Sequence, residues 1–283
     1  GELVGILGLR ELLITQPQTP IADIMDRAVD AVGPDMDQEV LANQFDRYGY
    51  SMMPVVDNRN YVLGVVTVDD VIDIIREEQT EDVQRTVGAG AEEGVHTGFR
   101  AKLKGRLPWL LINLLTSFVA GSVVLHYSLL ISQLAVLAAL MPIIANQAGN
   151  AGQQSLAVTL RGIVLDQLHA QRVGALIFRE TLVGTVNGLI AGTVVGSFIV
   201  VFNLLVGGPE AHHAWALGLV TVISMAIALS AGCCAGCSIP LLMRRLGVDP
   251  AHGSTIFLTM ITDTLSFLTF LTCSRILWEY LVP

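Results

Sequence analysis

Residues 107–160 contain no Asp, Glu, Lys or Arg, an uncharged run of 54 positions. A helical crossing of a roughly 30 Å hydrocarbon layer takes about 20 residues, so this run is too long for one span and suits two. Further uncharged runs cover 181–209 and 211–243, and another apolar segment surrounds Asp263. Five crossings are therefore expected, at about 107–131, 133–160, 174–205, 214–242 and 253–281. The third is long enough to tilt or to extend beyond the bilayer. Only 14% of residues are charged, against about 25% in a soluble domain.

The flanking charges orient these spans. Arg100, Lys102, Lys104 and Arg106 precede the first, Arg161, Arg172 and Arg179 lie between the second and third, and Arg244 and Arg245 follow the fourth. The other connections hold His126 and Tyr127, then 207–213, without Lys or Arg. The positive-inside rule predicts a cytoplasmic N-terminus and an external C-terminus in the inner (plasma) membrane of the cell. Trp109, Trp215 and Trp278 fall at span ends, where an interfacial aromatic belt places them. An odd number of spans cannot form two equal inverted halves in one chain, which favours symmetry between two chains.

Asp263 is the only formal charge between Pro250 and Ser274. Eleven residues separate it from His252, about 16 Å of helix and close to half the apolar thickness. A charge there costs several kcal/mol, so the carboxylate is buried neutral, paired with an arginine of another helix, or provided with a cation. A second polar concentration lies in the second span. Pro142 is expected to interrupt that helix and free backbone carbonyls. Asn146, Gln147, Asn150, Gln153 and Gln154 follow it, with Gly149 and Gly152 allowing close backbone approach. Such groups must face protein, water or an ion. They are either glue between helices or the oxygen lining of a cation path, and with Asp263 they suit a hydrated, hard dication such as magnesium.

Residues 1–93 carry 19 acidic and 6 basic residues, whereas 94–283 carry 6 acidic and 10 basic. The acidic part has the punctuation of a soluble domain. Its residues 3–13 align with 62–72, each copy reading as a strand, a turn and a helix start, which implies a tandem module. The first copy is cut short and no initiator Met is present, so the chain is expected to lack its natural N-terminus.

The unit from Ile21-Ala22-Asp23-Ile24-Met25 through Met53-Pro54-Val55-Val56-Asp57 to Gly64-Val65-Val66-Thr67-Val68-Asp69-Asp70-Val71 resembles a CBS domain. Followed by five spans, it resembles the MgtE family of magnesium channels. The membrane stretches with the stronger match are 142–155, then Arg244-Arg245-Leu246-Gly247-Val248-Asp249-Pro250-Ala251 and Thr262-Asp263. The resemblance implies an α-helical membrane protein with five transmembrane helices per chain and an α/β cytosolic CBS domain. Its parts would be a remnant of a first CBS unit (1–14), a CBS domain (15–76), an acidic-to-basic linker helix (77–106) and a pore domain (107–283).

By the same resemblance the chain is a homodimer that moves Mg²⁺ into the cytoplasm along the dimer interface. Asp263, Asn150, Asn146, Gly149 and Thr259 would line the pore. Cytosolic Mg²⁺ would close it by binding Asp37, Glu39, Asp70, Asp73, Glu78, Glu81 and Asp82, where clustered carboxylates repel until a dication joins them. One acidic position of the family falls on Gly49. Relatives tend to have glycine at Asn146, Ala148 and Ser266 and proline at Ile256. Thr67 and Asp70 also fit a Gly-x-x-Thr-x-x-Asp pattern that can hold the ribose and phosphates of ATP, or simply cap the following helix.

A proton- or sodium-coupled antiporter using Asp263 as a carrier site is the alternative mechanism. An enzyme is not expected, because no nucleophile–base pair, phosphate-binding loop or cofactor fingerprint is present, and no nucleic-acid partner is expected. The expected partners are a second copy, membrane lipid and divalent cations. Cys233, Cys234 and Cys237 superficially resemble a zinc motif, but their setting among small residues reads as helix packing. His212 and His213 read as a solvated loop that could also bind a metal.

Overall fold

A computed structural model of the chain describes residues 1–91, 93–165, 167–168, 172–206 and 214–281. It divides into two compact units, Gly1–Glu81 and Asp82–Pro283.

The first unit is α/β. After α1 (Leu9–Ile14) and α2 (Ile21–Ile24), helix α3 (Gln38–Tyr48) is bounded by local chemistry at both ends. Asp37 at the N-cap accepts the amide N–H of Glu39 at 2.9 Å, satisfying one otherwise orphaned donor. Gly49, at φ +68°, ends the helix in the left-handed conformation, which an acidic side chain would occupy only with strain. Strands β1 (Met52–Val56) and β2 (Val62–Thr67) pair antiparallel, with Met53 opposite Val66 and an irregularity at Val55–Val56. Their connection is held by Asp57, whose carboxylate accepts from the backbone of Arg59 and Tyr61, each at 2.8 Å. Val32, Leu41, Ala42, Phe45, Met53 and Val71 close the core. Residues 1–6 lie along this unit, with Leu3 donating to the Asn60 carbonyl and Ile6 paired with Asp26.

Helix α4 (Val68–Thr86) follows β2 directly. Thr67 and Asp70 form a capping box at its start, because the Asp70 carboxylate accepts both the backbone N–H and the hydroxyl of Thr67, at 3.1 and 2.6 Å. The expected linker helix over 77–106 is instead two pieces. It is helical only to Thr86, turns at Gly88 (φ +74°), and resumes at Phe99 as the first turns of α5. Gly88, Gly90, Gly94 and Gly98 punctuate that interval and remove the helical preference.

The second unit is helical: α5 (Phe99–His126), α6 (Ser128–Gln133), α7 (Val136–Val164), α8 (Val173–Val206), α9 (Ala214–Arg245), α10 (Ser254–Ile276) and α11 (Trp278–Leu281). Among the described residues, α5, α8, α9 and α10 are long and apolar enough to cross a membrane. The expected second crossing falls on α7, which has 29 residues, about 43 Å at 1.5 Å per residue. Its amides, not its length, lower its apolar character. Pro142 does not interrupt it. The helix runs through the proline in its second turn, where the ring removes one backbone hydrogen bond without ending the helix.

Helix α9 is the central packing element. Helix α8 lies on it through Gly184, Gly188, Gly192 and Gly196, spaced every four residues. A Cβ at any of them would come within 2.5–2.8 Å of an α9 backbone atom, so the two backbones touch at a distance only glycine permits. Helix α7 meets α9 in the same way, where a Cβ on Gly152 would stand 2.9 Å from the Gly232 carbonyl oxygen and one on Gly232 would stand 2.5 Å from that of Ala148.

Candidate cation pathway along α7 and α10

The seam with α9 fixes the rotation of α7. Ala148, Ala151, Gly152 and Ser155 are buried, and the side chains of Asn146, Gln147, Asn150, Gln153 and Gln154 are therefore turned outward from the single-chain bundle. Placing five amides on lipid would leave their polar groups unsatisfied. This face needs water, an ion or a second protein surface.

Helix α10 borders that face. Gly149 stands opposite Thr262, with 3.8 Å between the position of its missing Cβ and the Thr262 hydroxyl. Thr262 is buried and returns its hydroxyl to the Leu258 carbonyl at 3.0 Å, a back-bond that leaves no dangling donor. Asp263 follows it and is half-buried. Among the described residues, no arginine or hydrogen-bond donor meets its carboxylate. A partly desolvated carboxylate on the helix that packs against the amide-bearing one is an arrangement that attracts a cation.

Toward the start of α10 lies a cavity of about 270 Å³, lined by Val87, Asn113, Gln153, Thr255, Ile256 and Thr259. It brings together Gln153 and Thr259 of the expected path. Asn113 joins them from α5; its lone amide in the otherwise apolar stretch 107–115 was the available signal. The cavity is roomy enough for several waters, which suits a dication that gives up its hydration shell reluctantly.

The expected regulatory residues are distributed differently. Asp37 caps α3, Glu39 lies in its first turn, and Asp73 pairs with Arg76 at 3.3 Å on the surface. The Thr67 hydroxyl, then its backbone N–H, hold the Asp70 carboxyl below the usual carboxylate range. Glu78, Glu81 and Asp82 project from α4, and all three take part in polar interactions. Among the described residues of this one chain, no three His, Cys, Asp or Glu side chains converge as a metal cage. Cys233 and Cys237 are buried, with Thr159 donating to the Cys237 sulfur at 3.2 Å, as packing between α7 and α9 requires. His212 and His213 lie outside the described residues.

Residues 141–273 match the family model described as a divalent cation transporter, MgtE. Residues 21–77 match the CBS domain. The chain therefore carries an MgtE domain behind a CBS domain. A protein named magnesium transporter MgtE from Enterococcus faecalis is 35% identical over 282 residues, covering 100% of this chain and 60% of its own length. Proteins of the same name from Bacillus subtilis and Thermus thermophilus are each 32% identical, covering 95% and 99% of this chain and 58% and 60% of their own. The chain thus spans about 60% of the length of these relatives. Within the MgtE match lie the amide-bearing turns of α7 and Asp263 on α10, so the polar face described above belongs to the family's membrane domain.

Proposed function

We propose that this chain moves Mg²⁺ across a cell membrane, as part of a homodimer whose pore runs between the outward faces of α7 and α10. The observation that supports this reading most is Asp263, unpaired among the described residues and next in sequence to the Thr262 that faces Gly149, with the α7 amides on a face that a single chain leaves open. The names of its relatives agree with that cargo. Two chains related by a two-fold axis would place two carboxylates and two amide rows around one path. This satisfies the amides and neutralises a dication without stripping its water shell. The pore domain over 107–283 would follow the CBS unit (15–76, behind the remnant 1–14) and the linker (77–106), and the arginine-bearing loops would face the cytoplasm.

Regulation belongs to the same reading. Mg²⁺ on the acidic CBS and linker residues would favour a closed state for which it has the higher affinity. ATP at Thr67 and Asp70 is a weaker part of the proposal, because the Asp70 carboxylate is already engaged as a helix cap.

The decisive experiment is Mg²⁺ uptake by the purified chain in liposomes, at set membrane voltage and with no other ion gradient. Uptake that reverses with voltage alone supports a channel. Uptake that needs a proton or sodium gradient supports the antiporter, and no uptake in either condition refutes transport.

A further inference from the structure

The long helices α5 and α7–α10 contain one acidic residue besides Asp263, namely Glu180 of α8. It stands seven residues into α8, about 10 Å along the axis, at the edge of the uncharged run that begins at 181. Its carboxylate accepts the hydroxyl hydrogen of Ser155 on α7 at 2.7 Å. Ser155 is 2% exposed. Two residues before it, Gln153 points the other way and lines the polar cavity with Asn113, Thr255 and Thr259. Glu180 therefore lies behind the wall of the cavity, separated from it by the thickness of α7, about 10 Å.

Its surroundings on the neighbouring helices are neutral. One turn further along α8, Gly184 packs against the Cys233 sulfur. On α7, the Thr159 hydroxyl bonds the Ser155 carbonyl at 2.8 Å and the Cys237 sulfur. Among the described residues Glu180 forms no ion pair. The hydrogen bond from Ser155 does not by itself require a charge, since a glutamine would accept it without the cost of placing a carboxylate in a partly buried position. The charge is the property left to explain. Coulomb attraction scales with the product of the charges and is least screened where protein rather than water fills the gap.

We propose that Glu180 is a second anion of the cation pathway, a specificity-determining residue whose charge acts across α7 to favour a dication over a monocation in the polar cavity. This inference rests on the transport reading above.

The test is Mg²⁺ uptake by the full chain in liposomes, comparing wild type with Glu180→Gln, Glu180→Asp and Ser155→Ala. Glu180→Gln keeps the shape and the acceptor but removes the charge, whereas Ser155→Ala keeps the charge but removes the hydrogen bond. Expected is a rise of about tenfold in the Mg²⁺ concentration for half-maximal uptake in Glu180→Gln, with Glu180→Asp and Ser155→Ala within about twofold of wild type. A Glu180→Gln protein that matches wild type overturns the proposal. So does a Ser155→Ala protein impaired by tenfold, which would make Glu180 a positioning residue for α7. If Glu180→Gln does not fold, a tenfold impairment of Ser155→Ala still overturns the proposal. A wild-type chain that takes up no Mg²⁺ defeats the transport reading itself, while normal wild-type uptake with an unaffected Glu180→Gln defeats this inference alone.

Discussion

Arg85, in the last turn of α4, donates to the Asp249 carboxylate at 2.9 Å across 164 residues of sequence. Asp249 belongs to the loop between α9 and α10. The same turn of α4 is held to that loop by the Gly253 N–H, which donates to the Arg85 carbonyl at 3.0 Å, and to the first turn of α10 by the Thr255 hydroxyl, which donates to the Thr86 carbonyl at 2.6 Å. Gly88 and Gly253 both press on the Trp109 ring. The end of α4 is thus fastened beside the cavity that Val87 and Thr255 line.

On the proposed regulation, loosening this attachment should alter closure without altering the pore. Both side chains are about one-third exposed, so the ion pair contributes at most about 1 kcal/mol to stability, and Asp249→Asn should fold normally. Its expected effect is a higher cytosolic Mg²⁺ concentration for half-closure in patch recordings. The charge reversal Arg85→Asp with Asp249→Arg should restore much of the response, and failure of both would mean that the pair only packs the loop.

Asp263→Ala should abolish Mg²⁺ flux while leaving the melting temperature and elution volume of the protein unchanged. Asp263→Asn should fail as well, because an amide of similar shape lacks the charge that attracts a hydrated dication. Normal uptake by either variant would remove Asp263 from the pathway.

The spans were legible because uncharged runs are hard to hide in a chain, and the flanking arginines mark their ends. Asp263 stood out for the same reason. Glu180 did not, because it adjoins Arg179 and reads as the rim of a span; only the contact with Ser155 draws it inward. Pro142 does not break α7 although the soluble-helix rule counts one lost hydrogen bond as a break. The turn at Gly88 that divides the linker leaves no sign in the charge pattern. The four glycines of α8 recur every four residues, a spacing that does not by itself name the partner helix.

Those glycines lead to a stability prediction. A Cβ at Gly188 would lie 2.5 Å from the Met225 carbonyl oxygen and 2.6 Å from the Ala226 Cα, both backbone atoms that move only with α9. Gly188→Ala should therefore destabilise the membrane domain by about 1–3 kcal/mol, the usual range for overpacking. Gly174→Ala, on the same helix with nothing within 4 Å of the added atom, should be neutral or slightly stabilising. Thermal unfolding in detergent distinguishes them, and equal melting temperatures would show that the α8–α9 seam adjusts freely.

The last prediction concerns the acidic turns of α4. Neutralising Glu78, Glu81 and Asp82 together should weaken closure by cytosolic Mg²⁺ while leaving the pore's ion preference alone, because these residues lie on α4, outside the long membrane helices. If Mg²⁺ relieves repulsion among these carboxylates in the closed state, removing them removes part of the ion's differential affinity, and closure requires more Mg²⁺. Each of the three already takes part in polar interactions within the chain, so the substitutions should be Gln and Asn, which keep hydrogen-bonding capacity while removing charge. Patch recording with cytosolic Mg²⁺ varied supplies the half-closing concentration, expected to rise several-fold on the scale of typical coupling energies of about 1–3 kcal/mol. An unchanged value would mean that the cluster is a solvated helix face and that Mg²⁺ is sensed elsewhere.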